Sequence, residues 1–158
     1  MKILVPLDGS STGEAALPLA VQLARAENAG LVLLMVTDVH RAPDPAPCEP
    51  ELVPIHDAQI YLDTIRRHLA PDLGDVVTTV WRGTPAAAII RAAVEYGVHR
   101  IVMTTHGRTA NQRDMFGSVA DAVLRTAPMA VIVVRAAREP APTPAGSARP
   151  STGASTVS

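Results

Sequence analysis

Five short apolar runs, at 2–7, 31–36, 75–81, 100–103 and 130–135, alternate along this chain with longer segments whose apolar residues recur at helical spacing. That alternation leaves few folds open. Strands joined through helices make right-handed βαβ units, and a succession of them makes an open parallel sheet with helices on both faces. A strand in such a sheet is covered twice, so it reads as a continuous apolar run and not as an in-out alternation. Runs such as Leu31-Val-Leu-Leu-Met-Val36 have that character, and 47% hydrophobic residues supply the core of one domain.

Taken in order, the turn Asp8-Gly9-Ser10-Ser11 leads into a helix over about 12–27, with Ser10 or Ser11 as its cap. Pro18 either kinks that helix or marks a late start, because it lacks an N–H. Residues 40–54 hold Pro43, Pro45, Pro47, Pro50 and Pro54 and read as an extended loop or flap at the carboxyl edge of the sheet. A helix over 55–69 follows, with Ile60, Tyr61, Thr64, Ile65 and Leu69 at helical spacing. The next helix, over 86–96, has Thr84 as cap, Pro85 at its first position and Gly97 as its stop. A last helix spans 118–126 before Ala127-Pro128 breaks it. From residue 136 the chain is Pro, Ala, Ser, Thr and Gly with no apolar period, which predicts a disordered tail over 136–158 and a folded domain over 1–135.

The stretch with chemical character is 104–118, T-T-H-G-R-T-A-N-Q-R-D-M-F-G-S, read as a loop from the fourth strand into the last helix. Gly107 and Gly117 suit positive φ and close backbone approach, and Ser118 reads as the N-cap. A helix start behind such a loop favours an anion; two turn glycines in a long loop would look the same. Asp8 ends the first strand, where open α/β sheets bind ligands, and its carboxylate equally suits capping of its own turn. Arg108 and Arg113 offer positive charge to a phosphate. His106 and Asp114 suggest a dyad, yet the chain holds no G-x-S-x-G nucleophile motif, and its five histidines lack metal spacing. The single lysine, Lys2, excludes a P-loop. Cys48 is the only cysteine, so no intrachain disulfide forms. A net charge of −1 without a basic run gives no reason to expect nucleic acid. No apolar stretch approaches the ~20 residues of a membrane span, and the N-terminus opens as a strand, so a cytoplasmic location is expected.

Several stretches together resemble the universal stress protein family: V-P-L-D-G-S at 5–10, L-L-M-V at 33–36, G-T-P-A-A-A-I-I at 83–90, T-T-H-G-R and F-G-S-V-A around the loop, and the apolar run at 130–134 after Ala127-Pro128. Of that family's Gly-x2-Gly-x9-Gly-Ser/Thr motif, Gly107, the nine residues 108–116, Gly117 and Ser118 match, while Thr104 stands at the first glycine. The turn Gly97-Val-His-Arg100 departs from the family's wording and is expected at the surface, away from the site. The resemblance implies a Rossmann-like five-stranded sheet in order 3-2-1-4-5. It implies an adenine-nucleotide site at Pro6, Asp8, Val36, Met103, Thr104, Gly107, Arg108, Gly117, Ser118 and Val119, holding ATP with or without Mg²⁺ as a regulatory ligand, with at most weak hydrolysis. It also implies a homodimer paired through the fifth strand at 130–135. Thr104 keeps a second reading open, a dimeric interaction module that binds no nucleotide. Receiver domains and pyrophosphatases of similar outline want an acidic pair after strand one or S-G-G-x-D-S wording, and this chain has neither.

Overall fold

The structure, a computed structural model, describes residues 1–37, 53–69, 71, 73–105 and 116–135. Strands β1 (Lys2–Leu7), β2 (Gly30–Thr37), β3 (Val76–Arg82), β4 (Arg100–Thr104) and β5 (Ala130–Val134) form one parallel sheet in the order β3-β2-β1-β4-β5. Five helices connect or flank them: α1 (Ser11–Glu14), α2 (Leu17–Glu27), α3 (Val53–Leu69), α4 (Pro85–Glu95) and α5 (Ser118–Thr126). Because side chains alternate across a strand, each strand feeds two cores. Ile3, Val5, Leu7 and Val102 pack with Ala20, Ala24 and Leu62 of α2 and α3 on one face. Leu4, Leu34, Ile101 and Met103 pack with Ile89, Ala92 and Val123 of α4 and α5 on the other. The connection leaving β1 therefore turns to one face and the connection leaving β4 to the opposite face. This is the switch point where open sheets leave a crevice beyond their carboxyl ends.

The expected first helix is two. Ser10 caps α1, its Oγ accepting from the Gly13 N–H at 3.0 Å, and the chain restarts at Leu17 with Pro18 in the first turn of α2. A late start, not a kink, is what Pro18 marks, since a first-turn N–H has no intrahelical partner to lose. The same reason admits Pro54, assigned to the loop, into α3, which begins at Val53 and not at residue 55. The rest of the proline-rich loop, with Cys48, and the tail 136–158 lie outside the described residues. On α3 the inward side is Ala58 and Leu62 with partly buried Tyr61, Ile65 and Leu69, whereas Ile60 is 52% exposed and Thr64 faces solvent. The stripe 58-62-65-69 keeps i, i+4 and i+3 steps in phase, and Ile60 falls off it. Thr84 holds the N-cap position of α4 without a side-chain cap bond, Pro85 follows in the first turn, and Gly97 at φ 62° takes the chain out of α4.

Candidate functional site

Toward the carboxyl end of the sheet the hydrogen-bonded ladder between β1 and β4 stops, and Pro6 accounts for it. The Lys2 carbonyl accepts from the His99 N–H at 3.0 Å, so even-numbered groups of β1 point toward β4. Pro6 is therefore the residue that should donate to β4 near the strand end, and it has no N–H to give. The ladder obeys this: β1 and β4 pair at Ile3 with Arg100 and Leu4 with Ile101, while β1 stays paired to β2 from Lys2 through Leu7. It is the ladder that is split, over the half of β1 that leads to Asp8, while β1 and β4 remain neighbours in the sheet.

On the other side of the split, the Gly117 N–H donates to the Thr105 carbonyl at 2.7 Å, which ties the entry of α5 to the end of β4. The first bond inside α5 runs from the Asp121 N–H to the Gly117 carbonyl at 3.0 Å. The N–H groups of Ser118, Val119 and Ala120 precede it and have no intrahelical acceptor, and the helix dipole puts its positive end there. Two expectations are corrected. Gly117, not Ser118, is the N-cap, and exposed Ser118 is the first helical residue, because the chain is already extended at Gly117. Gly117 also has φ −66°, so no positive φ demands a glycine there.

Across the split, Asp8 caps its own turn. Its Oδ1 accepts from the Ser10 N–H at 3.1 Å and from the Ser10 hydroxyl at 2.6 Å, and that hydroxyl in turn accepts from Gly13. The carboxylate is half-buried at the mouth of the switch point. Behind it, Tyr61 of α3 donates its hydroxyl to Glu14 Oε1 at 2.9 Å. Burial, the bond to Glu14, and the charges of Glu14 and Asp8, in that order, hold the Tyr61 phenol well above its ordinary range. This pair is not legible in the sequence. Its members are 47 residues apart, and only the packing of α3 on α1 brings them together.

Pro6, Val36 and Met103 lie on one side of the sheet, the side that α4 and α5 cover: Met103 is buried there, Val36 packs against the same cluster, and Pro6 follows by alternation from Leu4. Val119 of α5 joins them. Thr104 does not. It is the last residue of β4, registered with Val134 of β5, and not the first of the loop. By the same alternation it takes the side of Val102, toward α1 and α2, where it is 7% exposed. The side chain at this position therefore lies on the opposite side of the sheet from Pro6, Val36, Met103 and Val119. Gly107 and Arg108, with His106, Arg113 and Asp114, lie outside the described residues. Among the described residues, no cluster of three His, Cys, Asp or Glu side chains has the arrangement of a metal centre.

The opposite end of the sheet carries a second polar group that the sequence placed at the surface. Glu27, closing α2, holds His99 Nε2 through Oε2 and the Arg100 guanidinium through Oε1, both at 2.8 Å and about one quarter exposed. The turn before β4 is thus a buttress between α2 and β4.

Comparison with known proteins agrees with this architecture. The model of the universal stress protein family matches residues 1–135. A universal stress protein of Methanocaldococcus jannaschii is 31% identical over 139 residues, covering 85% of this chain and 81% of its own length. Among solved structures, a Lactobacillus plantarum universal stress protein superposes with a TM-score of 0.70 at 28% identity, over 85% of this chain and 97% of its own. A universal stress protein in complex with cAMP (TM-score 0.65, 22% identity, 87% and 98% covered) shares the fold. So does one from Archaeoglobus fulgidus in complex with dAMP (TM-score 0.64, 21% identity, 84% and 96% covered). With the sheet order, the switch-point crevice and the matched span in agreement, the chain belongs to the universal stress protein family.

Proposed function

We propose that the chain binds ATP, with Mg²⁺ arriving on the nucleotide, as a regulatory ligand and turns it over weakly if at all. The observation that carries this reading is the split between β1 and β4. It ends with a carboxylate, Asp8, on one lip and three helix-start N–H groups, those of Ser118, Val119 and Ala120, on the other. The N–H groups and the dipole behind them suit a phosphate. The apolar side chains of Pro6, Val36, Met103 and Val119, on one side of the sheet, suit the face of a base, and an acceptor such as Asp8 suits a sugar hydroxyl. The complexes of two fold relatives with cAMP and dAMP supply the chemical class, an adenine nucleotide. Thr104, facing away, removes the main reason to prefer the nucleotide-free reading. Gly107 and Arg108 complete the proposed phosphate loop as the family motif orders them. We assign the working unit to residues 1–135, as a homodimer paired along β5, and place it in the cytoplasm; no helix among the described residues is long and apolar enough to cross a membrane.

The test is isothermal titration of nucleotide-free protein with ATP and Mg²⁺, alongside Gly117→Asp. Aspartate is a favoured N-cap, and φ −66° admits it, so the variant keeps α5 while placing a negative charge where the phosphate would bind. Micromolar binding by the wild type, lost in Gly117→Asp at an undiminished melting temperature, is the expected result. A wild type that takes up no nucleotide returns the chain to the dimeric interaction module.

A further inference from the structure

Gly13 poses a question that the helix it belongs to does not answer. Glycine inside a helix is about 1 kcal/mol less favourable than alanine, and Gly13 is not among the glycines with positive φ, so its backbone accepts any L-residue. The space does not. A Cβ built at Gly13 would stand 2.5 Å from Asp8 Oδ1 and 3.4 Å from Ser10 Oγ, well inside contact distance for the carboxylate. The bare Cα of Gly13 is therefore the seat of the Asp8 carboxylate, and the Gly13 N–H closes the same ring through Ser10, at 3.0 Å to Oγ and 2.6 Å from Oγ to Oδ1. The seat is braced from behind. Glu14, the next residue, takes the Tyr61 hydroxyl at 2.9 Å, which fixes the α1 turn against α3.

We propose that Gly13 is a positioning residue: it sets the carboxylate of Asp8 at the lip of the crevice, with the Glu14–Tyr61 bond holding its turn in place. The proposal rests on the nucleotide reading of the crevice, in which Asp8 touches the ligand and Gly13 acts through it. It accounts for a glycine that neither helix propensity nor backbone conformation asks for.

A double-mutant cycle tests it, with wild type, Gly13→Ala, Asp8→Ala and the double variant compared in thermal stability and in Mg²⁺-ATP affinity, the latter where all four are folded. Alanine at 13 should stabilise the chain when Asp8 is alanine, where only its helix propensity counts, and fail to do so beside the native aspartate. A purely structural glycine would not show that dependence. Affinity should fall in Gly13→Ala by roughly tenfold, the scale of one charge-assisted hydrogen bond, and the double variant should bind no worse than Asp8→Ala. Wild-type affinity in Gly13→Ala would overturn the positioning role while leaving the nucleotide reading intact, as would melting temperatures that simply add. Absence of binding by the wild type itself would overturn the nucleotide reading, and with it any role of Gly13 in binding.

Discussion

Thr104 is where residue identity and residue placement part company. Against the family motif it stands at the first glycine, and a branched side chain at that point suggests a blocked site. In the fold it is a strand residue, buried toward α1 and α2, and the alternation of β4 sends Met103 and not Thr104 toward the crevice. Restoring the motif glycine should therefore gain nothing in binding. Thr104→Gly is expected to leave ATP affinity unchanged in calorimetry and to cost about 1–2 kcal/mol in urea unfolding, from strand entropy and a lost buried side chain. A gain in affinity would show that Thr104 does reach the ligand. Asp8, by contrast, was legible as a candidate in both its roles, because V-P-L-D-G-S places it at a strand end and its short carboxylate is suited to its own turn.

Among the elements, most boundaries followed from local pattern, and the misplacements share a cause. Pro18 and Pro54 both sit in first turns, where proline costs no hydrogen bond, so each marks a beginning: the late start that was one reading of Pro18, and a helix where Pro54 suggested a loop. Of the positions at helical spacing in α3, Ile60 and Thr64 stay exposed, because a helix with several apolar residues offers more than one stripe and only the neighbour chooses. That choice brings Tyr61 to Glu14 and makes α1 and α3 one unit. The consequence is a pH dependence of known sign. The folded state holds the Tyr61 proton more tightly than the unfolded chain does. Its contribution is therefore fully present below the unfolded phenol pKa of about 10 and is lost as pH rises beyond it. Tyr61→Phe should be less stable than wild type by a constant margin from neutrality to about pH 10, and the margin should narrow above that in urea midpoints. A margin that stays constant through the alkaline range would mean that the phenol does not keep its proton in the folded chain.

For the whole molecule, the proposed assembly turns on β5, which ends the sheet. The Thr105 N–H donates to the Val134 carbonyl, so the groups of Ala130, Ile132 and Val134 face β4 and those of Val131 and Val133 face outward. Among the described residues no strand pairs with that outward side, and an apolar edge of this kind invites a second copy. Val133→Pro removes one outward donor and spares the ladder to β4. In the proposed dimer it should lower the molar mass in light scattering from that of two chains to 16.6 kDa with the fold retained. A wild type already at the smaller mass would end the β5 pairing. By itself the sequence determined the alternation of strands and helices, most helix ends to within a few residues, and the presence of a strand-end aspartate and of two glycines after the fourth strand. These depend on neighbours within a turn or two, which periodicity and capping chemistry record directly. The sheet order came from family resemblance, since crossover length alone does not say on which side of β1 a strand is laid. Only the tertiary structure decided the split at Pro6, the side taken by Thr104, the seat of Asp8 on Gly13 and the Glu27 buttress. Each of these depends on strand register or helix rotation, which are set by packing between segments far apart in the chain.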